Sequence, residues 1–155
     1  MGMDVYGKAH TAPDGEYFRN NIWWWRPLAD YCMDVAPNIT NGCKYWHSND
    51  GDGLDADAAI ALADALDAEI DSGRTLAFAS KRLAENKALP DESCTICDGT
   101  GMRLHPPNAG AGDQPCNGCK ATGRVRPSET MYSFSVKNVA EFSAFLRSCG
   151  GFRIC

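Results

Sequence analysis

Two cysteine pairs, Cys94-Thr95-Ile96-Cys97 and Cys116-Asn117-Gly118-Cys119, carry the clearest chemistry in this chain. Each opens an octet of one pattern, Cys-Thr-Ile-Cys-Asp-Gly-Thr-Gly over 94–101 and Cys-Asn-Gly-Cys-Lys-Ala-Thr-Gly over 116–123. Four thiolates in two Cys-x-x-Cys turns suit one tetrahedral zinc ion with Zn–S distances of about 2.3 Å. The glycines after each pair let the backbone fold back so that its N–H groups face the sulfurs. A catalytic zinc keeps one position open for water or substrate, whereas four thiolates close the site. His105 lies between the pairs and is the alternative ligand, but a histidine in so turn-rich a stretch reads as an exposed loop residue. The expected ligands are therefore Cys94, Cys97, Cys116 and Cys119, holding one structural zinc ion.

Three other groups of residues bear on function. Trp23-Trp24-Trp25-Arg26 reads as part of a strand, with Trp23 and Trp25 on one face and Trp24 on the other. A large aromatic beside arginine is a composition enriched at binding hot spots, and it can also stack on a base; burial of all three rings between two layers explains them equally well. Arg103, Lys120, Arg124 and Arg126 surround the cysteines and are the candidate phosphate contacts if the partner is a nucleic acid. Asn49-Asp50-Gly51-Asp52-Gly53-Leu54-Asp55 looks like a calcium loop but fails it, with Asp55 where glycine is needed and Ala61 at the last ligand position. A turn followed by a helix cap accounts for those residues. No phosphate-cradling glycine loop and no nucleophile–base pair stands out, so the chain reads as a non-enzyme.

Composition narrows the setting. The chain has 155 residues, 44% of them hydrophobic, which fits one globular domain. It has no long apolar run and no charged-then-apolar leader, so neither a membrane partner nor secretion is expected, and the location is read as cytoplasmic. There, eight cysteines are thiols or metal ligands and not a disulfide framework. Cys32, Cys43, Cys149 and Cys155 lack ligand spacing and are read as core thiols. The net charge of −5 is uneven: residues 1–71 hold 13 acids against 4 bases, and residues 72–155 hold 7 against 11. No charge footprint of a duplex-binding protein is visible at the level of the whole chain.

The elements that must position these residues follow from periodicity. Met3 to Tyr6 alternates like a strand, Pro13-Asp14-Gly15 is a turn, and Glu16 to Trp25 is an aromatic-rich extended segment. Pro27 suits the first turn of a helix to about Val35, with Leu28, Tyr31 and Cys32 on one face. Asp55 to Asp71 is the clearest helix, with Ala59, Leu62, Ala63, Leu66 and Ile70 as its buried stripe. A second runs from about Leu76 to Leu89, with Leu76, Ala79 and Leu83 inward and Pro90 as its stop. Residues 106–112 read as a mobile excursion between the cysteine pairs. The tail reads as a short βαβ: Tyr132, Phe134 and Val136 on a strand, a helix capped by Asn138 with Glu141, and a strand at Phe152-Arg153-Ile154. Val139, Phe142, Phe145, Leu146 and Cys149 face the core of that helix.

The octets resemble the Cys-x-x-Cys-x-Gly-x-Gly modules of the J-type (DnaJ) co-chaperone zinc region. Residues 94–101 match fully, and 116–123 depart at Ala121, where the module has its first glycine. That family carries four modules and two zinc ions, so two modules here imply one. The likeness covers 91–127 alone, and His105-Pro106 is followed by Pro107 instead of the aspartate of the J-domain tripeptide, so a co-chaperone role does not carry over. Met1 to Gly7, Tyr17 to Leu28 and Asn138 to Cys155 resemble small phage and prophage proteins, which implies a host protein as the partner.

The sequence thus predicts a single α+β domain over 1–155. A small sheet is backed by three to four helices, and a zinc-knuckle hairpin over 91–127 is inserted within it. Its expected role is a zinc-stabilised protein-binding module of phage origin that modulates a host protein or defence system. The alternative is a nucleic-acid-binding zinc module using Arg103, Lys120, Arg124, Arg126 and an exposed tryptophan.

Overall fold

The computed structural model describes residues 2–155 and shows an α+β fold in which the chain divides into two compact units, one formed by 2–83 and 132–155 and the other by 84–131. In the first unit, strand β1 (Gly2–Gly7) is the centre of a three-stranded sheet, flanked by β2 (Tyr17–Asn21) and β7 (Phe152–Ile154). Both pairings are antiparallel, with Val5 opposite Phe18 on one side and Ile154 on the other. The parallel βαβ expected at the tail is therefore absent. Alternation sends Met3, Val5, Phe152 and Ile154 into the core. The outer edge of β7 is covered by the loop before α3: Gly51 N–H donates to Ile154 O at 2.8 Å, Ile154 N–H to Asp52 O at 2.8 Å, and Phe152 N–H to Leu54 O at 3.0 Å. The acidic residues 50–55 thus belong to an edge cover, which removes a template for unwanted strand pairing.

Helix α1 (Ile22–Val35) begins five residues earlier than Pro27 would place it, and this corrects the strand reading of Trp23, Trp24 and Trp25. The physical reason is Asn21, whose side-chain carbonyl accepts the N–H groups of Trp23 at 3.0 Å and Trp24 at 3.2 Å and so caps the helix. Pro27 then lies inside the helix without an N–H for the Trp23 carbonyl. The Ser133 N–H takes that place, donating to Trp23 O at 3.0 Å. Trp25, Leu28, Ala29 and Cys32 form the buried stripe.

A short α2 (Pro37–Thr40) leads to α3 (Ala56–Asp71), where Asp55 accepts the Ala58 N–H at 2.8 Å and Ala59, Leu62, Ala63 and Leu66 are buried as expected. α4 (Arg74–Ala88) differs from expectation in its inward face. Leu76 and Leu83 are 61% and 55% exposed, while Thr75, Phe78 and Arg82 face inward. Thr75 Oγ1 and Tyr31 Oη share a hydrogen bond at 2.9 Å, and Phe78 packs on Tyr31 and Phe134 with ring centroids 4.9 Å away in both cases. The expected strand through Tyr132, Phe134 and Val136 is absent as well: Ser135 accepts the Asn138 N–H at 3.2 Å and starts α5 (Val136–Ser148) three residues before Asn138. Val139, Phe142, Phe145, Leu146 and Cys149 are buried on it. α5 lies on α3, where Ser143 Oγ donates to Asp67 at 2.6 Å and Arg147 pairs with Asp64 and Asp67.

The second unit is built from two short antiparallel pairs. β3 (Glu92–Ser93) pairs with β6 (Arg124–Val125), and β4 (Met102–Arg103) pairs with β5 (Gln114–Pro115). Residues 106–112, expected as a loose excursion, are laced back by three backbone bonds: Leu104 N–H to Gly110 O at 3.1 Å, Gly110 N–H to Ile96 O at 3.0 Å, and Gly112 N–H to Met102 O at 3.1 Å.

Candidate metal centre

Each cysteine pair sits in a turn between two short strands, and the two turns repeat one another bond for bond. Cys94 N–H donates to Gly123 O at 2.9 Å, and Cys116 N–H to Gly101 O at 2.9 Å. Gly99 N–H reaches Cys94 O at 3.0 Å where Ala121 N–H reaches Cys116 O at 2.8 Å. Thr100 and Thr122 occupy matching places, donating to Cys97 O at 2.7 Å and Cys119 O at 2.6 Å. The repeat visible in the sequence is therefore a pseudo-two-fold in the structure, with each octet closing the other.

Gly101 and Gly123 are where the two turns touch. Both have positive φ, 79° and 75°, and a Cβ at either would stand 2.4 Å from Ala121 O or 2.1 Å from Gly99 O. From that position Gly101 N–H donates to Cys97 Sγ at 3.3 Å and Gly123 N–H to Cys119 Sγ at 3.2 Å. Ala121 keeps the left-handed backbone of its glycine counterpart, at φ 61°. A side chain is tolerated there at a cost of about 1 kcal/mol.

The four sulfurs lie within 4.8 Å of one another, and all four cysteines are buried. Cys94 Sγ is 3.9 Å from Cys116 Sγ, and Cys97 Sγ is 3.7 Å from Cys119 Sγ. A tetrahedron with metal–sulfur bonds of about 2.3 Å has edges of about 3.8 Å. The spacing is far from a disulfide and fits four ligands around one ion. Burial pushes the Cys116 thiol up, but the N–H groups of Cys119 and Gly118 and the Cys119 and Cys97 thiols outweigh it and bring it down to about 7. Cys94 goes to about 11: the Ile96 N–H lowers it, while burial and the thiols of Cys97 and Cys116 raise it further. Among the described residues no other group of three or more His, Cys, Asp or Glu side chains is gathered in this way, and His105 is exposed outside the cluster.

The basic residues around the cysteines are mostly turned to structural work. Arg103 Nη1 donates to Asn117 Oδ1 at 2.9 Å and its Nε to Leu104 O at 3.1 Å. Arg124 Nη2 donates to Asp91 O at 2.6 Å, and Arg126 holds Leu89 O at 2.7 Å and Asp91 Oδ1 at 2.9 Å. Lys120, in the turn after Cys119, is exposed. In the first unit, Trp25 is fully buried and its Nε1–H donates to Trp46 O at 2.6 Å. Trp23 and Trp24 are half-buried, and Arg26 is exposed with its guanidinium 5.9 Å from the Tyr132 ring centre. The structure thus splits the tryptophan–arginine group that the sequence treats as one surface.

Of the remaining cysteines, Cys32, Cys43 and Cys149 are buried and Cys155 is half-buried. Burial pushes the Cys32, Cys43 and Cys149 thiols up, Cys43 to about 12, which disfavours the thiolate in each. No helix among the described residues is long and apolar enough to cross a membrane. No family model, curated protein or solved structure matches this chain. The four-cysteine cluster, able to hold a metal ion, is what the fold offers as a functional site.

Proposed function

We propose that this chain is a non-enzymatic, zinc-stabilised protein-binding module. The observation that carries the reading is the closure of the four-cysteine cluster: its sulfurs are buried, spaced as the edges of one tetrahedron and held by backbone N–H groups. Four thiolates in that geometry suit zinc and leave no position for a substrate. The likeness of 94–101 to a J-type zinc module supports the same metal. Zinc then orders the 84–131 unit, and what the unit contributes to function is its surface.

That surface carries Met102, 37% exposed, and Leu104, 41% exposed, at β4 and just beyond it. Methionine and leucine side chains together give an adaptable apolar contact suited to a protein partner. A host protein is the partner implied by the likeness of the chain's ends to phage proteins, and a reducing cytoplasm suits eight cysteines with no disulfide among them. The nucleic-acid reading ranks second, because Arg103, Arg124 and Arg126 already fasten carbonyls and side chains of their own unit.

The test is affinity capture with tagged, zinc-loaded protein from bacterial lysate, with and without nuclease, beside the Cys94→Ala/Cys97→Ala variant. One stoichiometric protein that survives nuclease and is lost by the variant is the expected result. Nucleoprotein recovered only without nuclease would put the second reading first, and a partner retained by the variant would move the contact surface away from the zinc unit.

A further inference from the structure

Four arginines are held by a carboxylate, one of them in the 84–131 unit, while Arg26, Arg82 and Arg153 of the first unit are in no such pair among the described residues. Arg74 is matched to Glu69, Arg147 to Asp64 and Asp67, Arg126 to Asp91 and Arg19 to Asp4. Arg26 and Arg82 both line one surface pocket of about 240 Å³ with Pro27, Asp30 and Tyr132. Arg26 Nη1 donates to Tyr132 Oη at 3.4 Å, and Arg82 Nη2 donates to Tyr132 O at 3.2 Å. The Arg82 Nε is buried without a partner. A guanidinium carries five N–H donors, so most of the donor capacity of the two groups is unspent.

The pocket is tuned by its other walls. Asp30 Oδ1 faces His47 Nε2 at 2.9 Å, which leaves Oδ2 as an acceptor, and its side chain is 62% exposed. The Tyr132 ring already has Arg26 over it and packs against Trp23 with ring centroids 5.0 Å apart, so the free groups of the lining are two guanidiniums and a carboxylate. The recognised group is therefore a charged one. Two arginines from different helices line the one pocket, which suits an oxyanion with several oxygens to share between them. A carboxylate in the same wall would repel an anion that is acceptor-only. It accepts a hydrogen bond from one that keeps an O–H, as phosphate and phosphomonoesters do near their second pKa of about 6.

We propose that this pocket binds a phosphate group, as free phosphate or on a small phosphomonoester, with Arg26 and Arg82 donating to its oxygens and Asp30 accepting its P–OH. The site is independent of the metal reading, because every residue in it belongs to 2–83 or 132–155.

The test titrates inorganic phosphate, glycerol phosphate and sulfate separately into the full-length zinc-loaded protein at pH 6 and constant ionic strength, followed by NMR of the backbone amides and arginine Nε–H groups. Saturable shifts at Arg26, Arg82, Asp30 and Tyr132 are expected with phosphate, and tighter binding of glycerol phosphate would mark a phosphomonoester as the better-fitting source. Arg26→Gln should weaken phosphate binding at least tenfold, and so should Arg82→Lys, which keeps a donor for the Tyr132 carbonyl and protects the fold. Asp30→Asn should erase the preference for phosphate over sulfate. Absence of saturable shifts, or equal affinity in the two arginine variants, would overturn the site; equal binding of sulfate and phosphate by the wild type would overturn the role of Asp30.

Discussion

In the unit formed by 2–83 and 132–155, Trp25, Phe142, Phe145, Phe152, Leu28 and Leu66 pack into one continuous buried cluster. In the 84–131 unit the buried cluster consists of four cysteines, with Ile96 and Val125 partly buried beside it. Fully burying one large apolar side chain is worth about 1.5–3 kcal/mol, while ordering one residue's backbone costs about 1–2 kcal/mol. The first unit has apolar groups enough to offset that cost, whereas two half-buried side chains cannot order the second. A structural zinc site contributes an apparent ~10–16 kcal/mol in small zinc peptides, which is the scale required. On the zinc reading proposed above, one chain uses two different stabilising chemistries, and each should be removable without the other.

The largest effect expected is therefore selective. Cys97→Ser should unfold 84–131 and leave 2–83 and 132–155 folded, seen as collapse of amide dispersion in one set of resonances only. The converse change is Trp25→Ala, which leaves a cavity and an unpaired Trp46 carbonyl and should cost about 3–5 kcal/mol in urea unfolding of the first unit. Metal content should remain one ion per chain in that variant under native conditions.

A smaller effect separates the units by pH. Burial raises the Asp67 carboxyl, but the Ser143 hydroxyl and Arg147 outweigh it and hold it below the usual carboxylate range. A depressed folded pKa means stability that is present above the unfolded value of about 3.9 and is lost as pH falls through the folded one. Asp67→Asn should lower stability at pH 7 by about 1 kcal/mol, the pair being partly screened by solvent, and should flatten the acid limb. Denaturant midpoints at pH 7 and pH 3 check both signs. The smallest effect is a gain: Ala121→Gly should stabilise the metal-loaded second unit by about 1 kcal/mol, since glycine adopts positive φ without strain. Slower chelator-induced zinc release would report it.

The four-cysteine cluster was legible because ligand chemistry leaves a local signature. The octets at 94 and 116 already imply their own turns, and the matching hydrogen bonds at Gly101 and Gly123 are that implication in three dimensions. Helix α3 was legible for a similar reason, with its cap at Asp55 and one uninterrupted apolar stripe. Trp23 to Trp25 misled because adjacent aromatics favour strands, whereas the deciding signal was the single Asn21 cap and the spacing of Trp25, Leu28, Ala29 and Cys32. Tyr132 and Phe134 alternate like a strand yet serve separate aromatic contacts, with Trp23 and with Tyr31 and Phe78. The inward face of α4 depended on its tertiary partners: Thr75 has a hydroxyl waiting at Tyr31 and Phe78 a ring, and Leu76 and Leu83 have neither. The pocket joins Arg26, Arg82 and Tyr132 from three separate parts of the chain, and no spacing rule reaches that far.

The measurement that goes most directly to the proposal that metal orders the second unit is a pair of amide NMR spectra, before and after removal of metal by a chelator under reducing conditions, with metal content determined on the same sample. The account predicts one zinc per chain, loss of dispersion for 84–131 on chelation, and unchanged resonances for 2–83 and 132–155. A dispersed 84–131 unit in metal-free protein would contradict it.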